Sequence, residues 1–324
     1  MPISPNLSEI VTTTLRNRSG TVADDVTKNN GLLSRLNSRG RKKPISGGRT
    51  IVQELQYQEN STFKRYSGYD ILNVQPSDVI TAAEYDLKQA AVAVSMSGLE
   101  QLQNSGEDAV LDLLEQRIEN AETTLKNNIA LDCYSDGTAD GGRQIGGLQL
   151  LISTSPTSGT VGGISRATWG FWRNQKFSAS ADGGAAASNA NIQSYMNRLY
   201  MSCVRGSDAP DLVVADNNFF RLYWESLQAI QRITSADKGM AGFQSLQYMG
   251  ADVIFDGGFG GGAPLNQMFF LNTKYLFYRP HRDRDMAPIG DERMNTNQDA
   301  FVQLMGFAGN LTMNNAFLQG VLFA

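Results

Sequence analysis

From residue 51 the chain alternates apolar and polar side chains, Ile51-Val-Gln-Glu-Leu-Gln-Tyr57, the period of a half-buried strand. The polar stretch 58–68, with Asn60, Ser61 and Gly68, suits a loop tip. Tyr69-Asp-Ile-Leu-Asn-Val74 predicts the returning strand, before Pro76, Ser77 and Asp78 break the run. Residues 45–82 therefore read as a long two-stranded excursion. Its apolar surface is too small to stand alone, because an isolated hairpin is marginal in water.

A buried-type strand follows over 87–97, centred on Ala90-Ala-Val-Ala-Val94. Glu107 and Asp108 then place acids where a helix N-terminus favours them. Val110, Leu113, Leu114, Ile118, Ala121, Leu125 and Ile129 recur at helical spacing and predict a helix over 107–132. At 1.5 Å per residue it is on the order of 40 Å long, and Asp136-Gly137 stops it. After a glycine-rich connector at 135–147, the pattern becomes an alternating α/β unit. A small-residue loop covers 178–191. Helices are predicted from Ile192 to Cys203 and from Phe219 to Ile230, with a buried strand Leu212 to Ala215 between them. Further strands fall near 246–255, 267–272 and 275–279, and 281–297 reads as charged loop. Phe301 to Met313 and Phe317 to Phe323 read as two strands around a hairpin turn at Asn314-Asn315.

Hydrophobic residues make up 41% of the 324, enough for a sizeable core, whereas charged residues are only 19%. In their place stand 24 asparagines and 20 glutamines, which gives an amide-rich surface. No apolar run approaches the roughly 18 residues of a membrane span. The start, MPISPNLSEI, lacks the charged-then-apolar order of a signal peptide. Two cysteines exclude a disulfide framework and a zinc site, and the single histidine, His281, weakens every reading built on histidine metal ligands or a histidine-centred triad.

The net charge of −4 is unevenly spread. Residues 1–50 carry nine basic and three acidic side chains, so a basic arm precedes an acidic body. The arm is rich in Ser, Thr, Asn and Gly and shows no sustained apolar period, which predicts a segment ordered by a partner. Its run Arg39-Gly-Arg41-Lys42-Lys43 has two readings, contact with phosphates or with an acidic neighbouring subunit. The second is the more ordinary use of such a run.

Candidate chemistry is sparse. Gly258-Phe-Gly260-Gly-Gly-Ala263 fits the glycine spacing of a dinucleotide site. Such a site needs a helix to open at those glycines, and here a strand pattern follows, so a turned loop is the better reading. The alternation Arg282, Asp283, Arg284, Asp285 beside His281 has no nucleophile or metal partner and reads as a salt-bridge loop. Cys133 and Cys203 read as small buried hydrophobes. Phe219, Tyr223 and Trp224, at helical spacing, read as core. No catalytic residue, cofactor site or metal site is predicted.

Three stretches carry a family resemblance. The first is Ala90-Ala-Val-Ala-Val-Ser-Met-Ser-Gly-Leu-Glu-Gln-Leu-Gln-Asn-Ser105, a strand leading into a turn before the long helix. The second is Tyr134-Ser-Asp-Gly-Thr138 with Gln144-Ile-Gly-Gly-Leu148. The third is Ala308-Gly-Asn-Leu-Thr312 with Gln319-Gly-Val-Leu322. In this order around a 26-residue helical pattern, from about residue 40 to the end, the chain resembles the major capsid proteins of tailed bacteriophages. The resemblance implies an α+β, Hong Kong 97-type fold. Residues 1–44 would be the N-terminal arm, 45–84 the extended E-loop, and 85–140 with 285–324 the peripheral domain and its spine helix. Residues 141–284 would be the axial domain.

What the resemblance implies for function is self-assembly as hexamers and pentamers into an icosahedral shell enclosing double-stranded DNA, contacted without sequence specificity. A scaffolding protein encoded separately, a portal and a decoration protein are the implied partners. The location would be the virion, assembled in the bacterial cytoplasm with no membrane involved and with little N-terminal processing. Arg39, Arg41, Lys42, Lys43, Glu54, Tyr57, Lys64, Arg65, Arg282, Asp283, Arg284 and Asp285 are the expected contacts between subunits. Some family members crosslink a loop lysine to a neighbour's asparagine. Here Lys64 and Asn310 are the conceivable pair, but no glutamate lies near Asn310 in sequence (Glu292 is the nearest), so no crosslink is expected. The related alternative is an encapsulin-type compartment holding enzymes.

Overall fold

A computed structural model describes residues 30–99, 107–227, 245–257, 261–290, 293–294 and 299–324. It begins with an element the polar composition of the arm concealed. Helix α1 (Gly31–Ser38) is capped by Asn30, whose side-chain oxygen accepts from the Leu33 amide at 2.9 Å. Leu32, Leu33 and Leu36 fill one face of this helix and are buried in the body of the same chain. The expectation of an arm ordered only by a partner is therefore corrected for residues 30–45. Residues 1–29 lie outside the described residues.

Strands β1 (Thr50–Gln56) and β2 (Ile80–Asp86) pair antiparallel, with Ile51 opposite Tyr85 and Leu55 opposite Thr81. The return strand is thus 80–86 rather than 69–74. Ile51, Leu55, Ala83 and Tyr85 share the face that meets the core, whereas the side chains of 69–74 stand exposed. Strand β3 (Lys88–Ser97) precedes helix α2 (Glu107–Asp132), which spans the range its spacing predicts. Ile118, Ala121, Leu125 and Ile129 are its buried stripe. The helix ends tightly. Leu148 N–H donates to Cys133 O at 2.8 Å, and a Cβ at Gly147 would stand 2.3–2.4 Å from the backbone of Ser135 and Asp132.

The alternating unit follows. It contains the small hairpin β4 (Thr160–Val161) and β5 (Ile164–Ser165), β6 (Gln175–Ser178), α3 (Ile192–Ser202), β7 (Leu212–Ala215) and α4 (Asn217–Ser226). Asp216 caps α4 through the amides of Asn218 and Phe219. Then come β8 (Ser245–Tyr248), β9 (Ala251–Phe255), β10 (Gln267–Leu271) and β11 (Leu276–Pro280). The glycine motif lies partly outside the described residues; from Gly261 onward the chain runs into β10, not into a helix. The charged loop 281–297 carries two short strands, β12 (Ala287–Pro288) and β13 (Arg293–Met294), ahead of β14 (Ala300–Met313) and β15 (Gly320–Phe323).

Two sheets organise these elements. One has six strands in the order β6-β15-β10-β7-β9-β8, and the other is built around β14, which pairs with β3, β11, β12 and β13. The expected closing hairpin is absent, because β14 and β15 belong to different sheets. Asn314-Asn315 is a crossover. Gln319, fully buried, locks it by accepting from Asn272 N at 2.9 Å and donating to Asn272 O at 3.1 Å. Gly320 lets α3 close on β15, since a Cβ there would stand 2.6 Å from Cys203 Sγ. Leu212 and Val214 of β7 enter one apolar core with α1, α2 and β14, while Val213 and Ala215 enter a second with α3 and α4. A sheet covered on both faces gives strands with no polar alternation, as in Leu212–Ala215.

Candidate functional site

The β1–β2 ladder holds residues 57–79 away from both cores. Within that loop Phe63, Tyr66, Tyr69, Ile71, Leu72 and Val74 are exposed, with Phe63 at 77%, Ile71 at 88% and Val74 at 90%. A concentration of large apolar side chains in water marks an interaction surface. Lys64 donates to Ile71 O at 3.2 Å, and the Arg65 guanidinium sits 5.5 Å from the centre of the Phe63 ring. Both basic groups fold back on the loop. Glu54 points to solvent from the outer face of β1.

An aromatic pedestal carries the loop. Tyr57 meets Trp169 and Phe171, with ring centres 6.0 and 5.5 Å away, and Phe171 leans on the buried Trp172. Trp172 donates through Nε1 to Val161 O at 2.9 Å. Glu84 N–H reaches Gly162 O at 3.0 Å, tying β2 to the β4–β5 turn. Gly162 has φ +58°, and a Cβ there would meet Ala83 Cβ at 2.8 Å, so both the turn and its close approach demand glycine. Tyr85 reaches across to β14, donating to Met313 O at 2.8 Å, and burial pushes its phenol up.

The basic run is turned onto its own body. Arg39 pairs with Asp211, approaches the buried Asp252 at 3.4 Å and donates to Thr273 Oγ1 at 3.0 Å. Lys42 pairs with Asp285 at 2.8 Å. Arg41 and Lys43 flank the Phe277 ring at 5.8 and 4.8 Å. Residues 41–45 run parallel beside β11, with Lys43 N donating to Tyr278 O and Ile45 N to Pro280 O. Replacing Arg39 by alanine leaves Asp252 buried without this cation and is expected to cost about 2 kcal/mol, measured by urea unfolding. The expected Arg-Asp cluster is divided. Asp285 faces Lys42, Arg284 reaches Gln89 Oε1 at 3.4 Å, and Arg282 and Asp283 face solvent.

The docked arm also meets a buried carboxylate. Tyr134, just past α2, donates its hydroxyl to Asp256, which also accepts from the Leu32 amide. Burial raises the Asp256 carboxyl above the ordinary range, and these two hydrogen bonds oppose the rise only in part. The folded chain therefore holds this proton more tightly than the unfolded one, and stability falls as pH rises from about 4 through the folded value. In Asp256→Asn that contribution is gone. Relative to the variant, the parent should gain stability as pH drops from 7 toward 4, read by urea unfolding across that range.

Among the described residues, no group of three or more His, Cys, Asp or Glu side chains is placed to hold a metal, and no helix is long and apolar enough to cross a membrane. Cys133 and Cys203 are buried thiols. Sequence reasoning missed the exposed loop residues because it assigned 69–74 to a strand. It also missed Trp169 and Phe171, whose only signal is three aromatics within Trp169-Gly-Phe-Trp172.

A long helix beside a sheet with an outlying two-stranded loop, joined to a second, helix-covered sheet, defines the Hong Kong 97-type capsid fold, and the chain has it. Similar solved structures agree. The capsid protein of cyanophage A-1(L) matches with a TM-score of 0.62 and 16% identity, over 87% of this chain and 90% of that one. The capsid of Myoviridae phage XM1 matches at 0.51 and 14%, over 89% and 90%. The SrpI encapsulin of Synechococcus elongatus PCC 7942 matches at 0.53 and 11%, over 89% and 86%. No protein-family model and no curated protein sequence matches the chain.

Proposed function

We propose that the chain is the major capsid protein of a tailed phage, a structural subunit that closes as hexamers and pentamers into an icosahedral shell around double-stranded DNA. The observation that carries this reading is the exposed apolar loop 57–79 on a capsid-type fold. Such a loop needs cover, and a neighbouring copy supplies it repeatedly in a closed shell. Residues 1–44 act as the arm, 45–84 as the E-loop, 85–140 with 285–319 as the peripheral part and 141–284 as the axial part. The strand 320–323, which lies in the six-stranded sheet, works with the axial part. Scaffolding and portal proteins are the partners such a shell uses, and the virion is its location. Particles isolated from the source cells should contain nuclease-resistant double-stranded DNA.

The encapsulin reading is kept because an encapsulin fits the fold as well as the phage XM1 capsid does. Enzyme cargo without DNA in those particles would select it.

Covalent crosslinking is not expected. Asn310 is buried, accepts from Gly146 N at 3.0 Å and Leu311 N at 2.9 Å, and donates to Asp86 O at 2.8 Å. Its amide is occupied on both sides and closed to an incoming Lys64. Mass spectrometry of denatured particles should give only the 35.4 kDa chain, and a ladder of multiples would overturn this.

A further inference from the structure

The foot of the loop 57–79 encloses a small hollow. Tyr57 stands where the chain leaves β1, Asp78 and Ile80 where it returns to β2, and Ile164, Trp169 and Phe171 close the hollow from the body. Trp169 is 48% exposed and gives it an open side. The volume is about 180 Å³, below the ~300–1,000 Å³ of pockets that take a whole small ligand. It suits one head group on a stem.

Three of its walls are aromatic. The ring centres of Tyr57 and Trp169 are 6.0 Å apart, those of Tyr57 and Phe171 5.5 Å, and those of Trp169 and Phe171 5.9 Å, with the planes inclined at 71°, 37° and 58°. A cation is drawn to a ring face within about 6 Å of its centre, and centres this close together let one cation reach all three. Asp78 is the one charged residue among the described residues that line the hollow. A carboxylate beside three π-systems favours a positive guest over a neutral one. A second hollow, about 240 Å³, shares Tyr57 and Phe171 but has Arg205 in its wall, 3.9 Å from Glu59. That side has a base of its own. The loop's own bases are engaged elsewhere, Lys64 on Ile71 O and Arg65 over the Phe63 ring.

We infer that Tyr57, Trp169, Phe171 and Asp78 form a cage for an ammonium or guanidinium head group, and that a lysine or arginine of a second copy of this chain supplies it. The cage itself follows from the rings and the carboxylate. The second copy as donor rests on the shell reading, in which a neighbouring copy covers the exposed apolar residues of this same loop. One contact then buries the loop and fills the cage at its foot.

The test has two arms. The chain has three tryptophans, so fluorotryptophan labelling of the full chain gives three fluorine NMR signals, and Trp169→Phe assigns that of Trp169 by its loss. Tetramethylammonium chloride, titrated into the unassembled subunit against sodium chloride of equal ionic strength, should move the Trp169 signal saturably and leave that of Trp224 in place. Neopentyl alcohol, a neutral probe of similar shape, should not. Asp78→Asn should weaken the tetramethylammonium response on the order of threefold, and Asp78→Lys should abolish it. Asp78 is exposed, so both variants should keep the parent's urea midpoint. No saturable shift, an equal shift with the alcohol, or an unchanged response in Asp78→Lys would overturn the cage. In the second arm, light scattering should show the critical concentration for assembly rising on the order of tenfold or more in Asp78→Lys, because like charges then meet in the cage. Equal assembly of parent and variant would overturn the second copy as donor and leave the shell reading standing. A parent that never assembles would remove that donor together with the shell reading, while the titration still decides the cage.

Discussion

Replacing Tyr69, Ile71 and Val74 together by serine is expected to abolish assembly while leaving the subunit folded. These side chains touch neither core and stand almost wholly in water, so their loss should leave the urea midpoint of the isolated subunit unchanged. Each large apolar side chain contributes about 1.5 kcal/mol or more when covered. Three together remove on the order of 4 kcal/mol per contact, roughly a thousandfold in association. The critical concentration for assembly, read by light scattering, should rise out of reach. A variant that assembles normally would show that the loop is not the contact. A variant that unfolds would show that it packs on its own body.

Trp172→Ala should have the largest effect on the fold itself. Trp172 is fully buried, supports Phe171 under the loop, and supplies the hydrogen bond to Val161 O. Truncating a buried tryptophan costs about 3–5 kcal/mol, a large part of the ~5–15 kcal/mol that holds a typical domain. Trp172→Phe keeps most of the packing and loses the indole N–H, so about 1 kcal/mol of its cost is the hydrogen bond. Urea unfolding ranks the two. With the pedestal gone, limited proteolysis should also cut the loop 57–79 earlier in Trp172→Ala than in the parent.

The long helix was fully legible because its apolar spacing runs unbroken from Val110 to Ile129. Leu212–Ala215 was legible for a similar reason, a short continuous apolar run between polar ones. The segment 69–74 was misread because Tyr, Ile, Leu and Val favour strands wherever they stand, and periodicity does not say which molecule covers them. Helix α1 was concealed by its brevity, with three leucines among eight residues and polar flanks on both sides. The basic run was legible as charge but not as geometry. Its partners Asp211, Asp252 and Asp285 lie more than 170 residues away and are brought together only by the two sheets. The Asn314-Asn315 turn carried a hairpin signal that tertiary packing overrode, through the double hydrogen bond of Gln319 to Asn272 and the bare Cα of Gly320 beneath α3. As a result, the separate elements were readable, and the contacts that choose between a free arm and a docked one were not.

The central claim is that this chain builds a closed shell, and negative-stain electron microscopy of the expressed protein tests it most directly, alone and with a scaffolding partner. The account predicts closed particles, tubes or mixed hexamers and pentamers. A monodisperse monomer or dimer under both conditions would contradict it.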